Sequence, residues 1–123
     1  MNSLEDAIEA IEGGYEFLLA YAAQGFEASQ GGQHASDARG HLTGMKSALE
    51  ALSELASAAV GSNDAYDSFL ATLKDDAGRA AGVVSVVLAA DGISSQLIDN
   101  FNASSHIRTV LTDLFLLDEA LSA

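Results

Sequence analysis

The chain has no cysteine, no proline and no tryptophan. Without cysteine there is no disulfide scaffold, no thiolate metal site and no cysteine nucleophile. Without proline, nothing in the backbone forbids long uninterrupted helices. Aromatic residues make up only 7% of the chain, so a core must come from Leu, Val, Ile and Ala. Bases are scarce as well, with five Lys and Arg against 18 Asp and Glu and a net charge of −13. Such a surface repels nucleic-acid backbones and anionic membranes, so neither is expected as a partner. The longest apolar run, Ala80 to Ala90, is too short to span a bilayer. The opening MNSLEDAIEA has no basic stretch and no cleavage signal, so a secretory leader is not expected and a cytoplasmic location is.

What is present is apolar periodicity. With 49% apolar residues over 123 positions, the chain can build one core, and residues 1–123 read as a single domain. Ser3-Leu4-Glu5-Asp6 resembles a capping box, with Asp where Glu is usual. Leu4, Ile8, Ile11, Tyr15, Leu18, Ala22 and Phe26 follow at three- and four-residue spacing, which is one helical face. Glu5, Glu9, Glu12 and Glu16 form a separate acidic ridge, and Phe17 and Tyr21 read as lying opposite the main stripe. Gly13-Gly14 interrupts this helix and offers either a kink or room for a close neighbour.

Ser29 to Gln33 reads as a loop. A second helix is expected from Ser36, striped by Ala38, Leu42, Met45, Leu49, Leu52, Ala56 and Ala59 and closed by Gly61. Ser62 or Asn63 caps the third, which carries Tyr66, Phe69, Leu70, Leu73, Ala77, Ala80, Val84 and Val87. The run Val83 to Leu88 has strand propensity, but its flanks keep helical rhythm and no second strand is available to pair. That half of the helix is apolar on nearly all sides and is expected to be well buried. Gly92 stops it, and Ser94 or Ser95 starts a fourth helix with Leu97, Phe101, Ile107, Leu111, Leu114 and Leu121 on its core face. Asn102 to Ser105 weakens the middle of this helix, where a break is one alternative. The expected fold is all-α: a single antiparallel up-down-up-down four-helix bundle, with helices at about 4–28, 36–60, 64–91 and 95–122.

The chemistry-bearing motifs are absent. There is no Glu-x-x-His, so the ligand pattern of carboxylate-bridged metal bundles is missing, and no metal or cofactor is expected. His34, His41 and His106 read as solvated side chains near helix starts. Glu12 and Glu16 flank Tyr15, but they belong to the acidic ridge and read as solvated. No Gly-x-Ser-x-Gly elbow, phosphate loop or calcium loop occurs. Catalysis is therefore not expected, with an enzyme or metal protein lacking any standard signature as the third-ranked reading.

Two glycine pairs stand out: Gly40 with Gly44, and Gly78 with Gly82. Antiparallel counting from a turn near residue 62 puts both pairs at one level of the bundle. Their angular position, about 120° to 200° from the core stripe at 100° per residue, turns them mostly outward. With Phe17, Tyr21, Ala48 and Val86 they outline a close-contact strip for a second copy or another protein. The function expected first is therefore protein association, as a homodimer or as an accessory or regulatory subunit. The alternative is a small-molecule pocket at the same level, formed by Tyr21, His41, Arg79, Ser104, Ser105 and His106, where Arg79 favours an anionic ligand.

Overall fold

The computed structural model describes residues 3–29 and 31–123, so the expected loop at 29–33 is described only in part. Among the described residues there are five α-helices and no strand. They are α1 (Leu4–Ala22), α2 (Gln33–Val60), α3 (Asp67–Leu88), α4 (Ser95–Ala103) and α5 (His106–Ser122), with a short 3-10 turn at Asp64–Tyr66 before α3. The strand propensity of Val83 to Leu88 is overridden, because Val84 and Val87 are buried one helical turn apart.

The caps follow from the local chemistry. The Ser3 hydroxyl accepts from the Asp6 amide, and two acids in the first turn meet the positive end of the α1 dipole. Gly61 ends α2 at φ 72°, a conformation that costs glycine little. Asn63 accepts from the Ala65 amide and Ser94 from the Leu97 amide, so each opens the element that follows it.

Several boundaries differ from expectation. The first helix ends at Ala22, not near 28, and the chain from Ala23 folds back to meet the α3–α4 connection. The second begins at Gln33 and the third ends at Leu88. Gly92 does not end α3. A β-carbon on Gly92 would overlap the Ala28 carbonyl, so the residue is there for a close approach of two loops. The fourth helix is two, broken at Ser104–Ser105. The Ser104 amide closes α4 onto Asn100 and Phe101, and Ser105 takes left-handed φ 66° before α5 starts. Asn102, Ser104 and Ser105 favour such a break because their short polar side chains compete for backbone groups; the Ser104 hydroxyl donates to the Phe101 carbonyl at 2.6 Å.

The buried core is the set Ile11, Leu18, Leu42, Met45, Leu52, Leu73, Val84, Ile93, Ile98, Val110, Leu114 and Leu117, with smaller side chains between them. α2 packs against both α1 and α3, and α5 packs against both α3 and α1. Gly14 lets α1 and α2 come together: a β-carbon there would overlap the Met45 thioether. The Arg39 guanidinium, near the start of α2, donates to the carbonyls of Leu88 and Ala90 at 3.0 and 2.7 Å, tying that end of α2 to the end of α3. This satisfies carbonyls that a helix C-terminus leaves without partners.

Ala59 and Leu121, expected on core faces, are exposed, and three other expectations about burial also need correction. Tyr21 is buried, because at 100° per residue it lies only about 60° from Leu18 and α4 covers that side. Ala48 is 0% exposed, since α2 has neighbours on two sides and its buried face is wider than one stripe. Val86 is 70% exposed, so the apolar end of α3 is not covered all round.

Candidate functional site

The residues proposed for a shared pocket are not gathered in one cleft, although the rings of Tyr21 and His41 both lie against Phe17. Tyr21 spends its hydroxyl on the Ile93 carbonyl at 2.7 Å, inside the fold. Burial raises its pKa, and the Arg39 charge offsets part of that. Ser95 completes the joint: its hydroxyl donates to the Tyr21 carbonyl at 2.7 Å and accepts from the Phe26 amide at 2.8 Å. The Ser95 amide donates to the Phe26 carbonyl at 2.9 Å. Tyr21 is thus a fastener between the end of α1 and the start of α4, and not a surface group. His41 stacks on Phe17 at 4.1 Å, and His34 stacks on Phe26 at 4.3 Å. Asp37 lies three residues after His34 and four before His41, yet it accepts from the Gln33 side-chain amide. Among the described residues no three His, Cys, Asp or Glu side chains gather as metal ligands do.

Tyr21, His41 and Ser105 line three different clefts. Ser104 and Ser105 turn their hydroxyls to the carbonyls of Phe101 and Ala103. His106 opens α5 as its first residue. Arg79 is 63% exposed and pairs with Asp76, 16% exposed, at 3.3 Å. The glycines of both pairs have open space where a β-carbon would stand. Gly40, Gly78 and Gly82 are exposed and Gly44 is half-buried, so the strip lies on the outside of α2 and α3 without Ala48 and Tyr21.

The seam between α3 and α5 carries a site that was not apparent from spacing. On α3, Ala65, Phe69, Thr72, Asp76 and Arg79 recur at helical intervals from the preceding turn onward, along one flank. On α5, Ala120, Leu117, Leu116 and Asp113 run beside them in reverse chain order. At one end of the seam Ala65, Tyr66, Phe69, Leu116, Leu117 and Ala120 line an apolar groove of about 230 Å³. Further along, the Asp113 carboxyl comes within hydrogen-bond reach of Asp76. Two carboxylates cannot share such a bond unless one holds a proton. Burial pushes the Asp113 carboxyl up to about 7, with the hydrogen bond to Asp76 and the repulsion from its charge adding to the rise. The Asp113 Oδ2 is buried and finds no donor. Arg108, Ser105, Thr109 and Thr112 share a separate cleft with Asp113 toward the start of α5.

The outer side of α5 also carries two large apolar side chains, with the exposed Arg108, Thr112 and Glu119 between them. Phe115 is 48% and Leu116 60% exposed, on the same turn as the buried Leu114 and Leu117. Leu121 stays in line with the buried Leu114 and Leu117 but is 40% exposed, because it lies at the C-terminal end of α5. The sequence does hold this signal, in the unbroken run Leu114-Phe115-Leu116-Leu117, which is too wide for a single core stripe. The meeting of Asp76 with Asp113 had no such signal, because it depends on how α5 is rotated after the break at Ser105.

No helix among the described residues is long and apolar enough to cross a membrane. No family model, curated protein or solved structure matches the chain.

Proposed function

We propose that this protein acts by association with another protein surface, as an accessory or regulatory subunit or as a homodimer, and that the apolar face of α5 makes the contact. In this reading α4 and α5 together form one arm of an antiparallel up-down-up-down bundle, a four-armed arrangement with its last arm broken. The observation that carries the proposal is the exposure of two large apolar side chains, Phe115 and Leu116, on consecutive positions of α5. Single exposed apolar residues are ordinary, but adjacent large ones beside an apolar groove mark a contact surface.

The test replaces Phe115 and Leu116 together by Ser. Because neither side chain fills the core, the melting temperature should stay within about 2 °C of wild type. Sedimentation over micromolar to submillimolar concentration, at low and high salt, should show self-association only when both side chains are present, if the partner is a second copy. A monomeric wild type together with a large drop in melting temperature for the double variant would show that the pair serves the fold alone, and the proposal would fail.

A second contact surface is favoured by the open space beside Gly40, Gly44, Gly78 and Gly82 and by the exposure of Val86. Small side chains there would let a second copy approach closely. Gly44→Leu and Gly82→Leu would abolish dimerisation by that strip and leave association through α5 intact.

A further inference from the structure

The α3–α5 seam combines an apolar groove with a charged end. The groove of Tyr66, Phe69, Leu116, Leu117 and Ala120 has the composition that accepts the apolar side of an amphipathic helix. From Ala65 to Asp76 the seam extends about 16 Å at 1.5 Å per residue, roughly three turns of a docked helix. At its far end stand Asp76 and Asp113. Arg79 reaches Asp76 but is itself mostly exposed, and among the described residues Asp113 has no cation at ion-pair distance. The surrounding chain is strongly acidic: residues 64–76 and 113–120 hold seven acids and one base, Lys74. A second copy would bring the same acids to the same surface and be repelled, whereas a basic segment would be drawn in.

We infer that the α3–α5 seam docks a basic amphipathic helical segment of a partner protein, whose apolar side chains enter the groove and whose Lys or Arg reaches the Asp76–Asp113 pair. This rests on the association reading above and names the partner's chemistry. Leu116 and Phe69 are the apolar anchors. Among the described residues Asp76 pairs with the mostly exposed Arg79, and a partner cation would draw the proton off Asp113 and pair with the carboxylate it leaves.

The experiment is fluorescence anisotropy with a labelled helical peptide of about 14 residues, made of Leu and Lys at amphipathic spacing. Leu116→Ser should weaken binding about tenfold or more, and Asp113→Asn about threefold to tenfold. Glu9→Gln with Glu16→Gln, on the acidic ridge of α1 and outside the seam, should change it less than about twofold. All three are surface or charge-relieving changes, so circular dichroism should show each folded. Ridge substitutions that weaken binding as much as Asp113→Asn would mean that the peptide senses net charge alone, and would overturn the inference. A wild type that ignores the peptide yet self-associates through Phe115 and Leu116 would overturn it while leaving the association reading in place. Absence of both, with Phe115 and Leu116 needed for the melting temperature, would end both.

Discussion

Asp113 and Asp76 face each other across the seam between α5 and α3, with Arg79 paired to Asp76 and the Asp113 Oδ2 buried without a donor. The folded chain therefore holds a proton on Asp113 up to about pH 7, whereas an unfolded chain releases it in the ordinary carboxylate range. Between those values the native state binds the extra proton. Stability from this site is then greatest at low pH, falls as pH rises through the window, and reaches its floor above about 7. Asp113→Asn removes the dependence. Denaturant unfolding should give variant and wild type equal stability near pH 4, and an advantage to the variant on the order of 1–2 kcal/mol at pH 8, once solvent screening is discounted. A difference that does not vary with pH would contradict a proton held on Asp113.

Gly13 and Gly14 are neighbours in sequence with opposite surroundings. Gly13 has open space and Gly14 lies against Met45. Gly13→Ala should stabilise by up to about 1 kcal/mol through helix propensity. Gly14→Ala gains the same propensity but must displace the Met45 thioether, for a net loss of about 1–2 kcal/mol. Thermal melts of the two variants that moved in the same direction would show that α1 and α2 are not in close contact at this point.

Tyr21 and Ser95 form the joint between α1 and α4. Tyr21→Phe leaves the buried Ile93 carbonyl without its donor and should cost about 1–3 kcal/mol. Ser95→Ala removes a donor to Tyr21 and an acceptor for Phe26 together, and should cost at least as much. Hydrogen exchange should show the loss first at residues 21–28 and 93–98, since α2 and α3 share neither bond. Uniform loss of protection across the chain would contradict a local joint.

Arg39 is the cap of a helix distant in sequence. Its bonds to the carbonyls of Leu88, Ala90 and Asp91 are charge-assisted, so Arg39→Ala should cost about 1.5–3 kcal/mol. Arg39→Lys should recover only part, because one ammonium cannot reproduce the planar fork. Full recovery by Lys in an unfolding titration would show that charge, not geometry, matters there.

The all-helical character and several helix ends were readable from sequence because their causes are local. Ser3, Gly61, Asn63 and Ser94 act on neighbours within a few residues, and the stripes through Leu42, Leu73 and Val84 need only helical periodicity. The ends of α1 and α3 were not readable, since they depend on contacts between residues about 70 apart, such as Tyr21 with Ile93. The wide buried face that takes in Ala48 was missed because a helix between two neighbours buries more than one stripe. The glycine pairs are visible in the sequence, yet the acidic pair and the groove beside Leu116 lie on other faces. Those depend on the rotation of α5 after Ser105, and a left-handed serine has no periodic signature.

The most direct test is backbone-amide NMR of the labelled protein titrated with the leucine–lysine peptide. Shifts should concentrate at residues 65–76 and 113–120, with little change along Glu5 to Glu16. Shifts strongest on that ridge, or spread evenly over the molecule, would contradict docking at the α3–α5 seam.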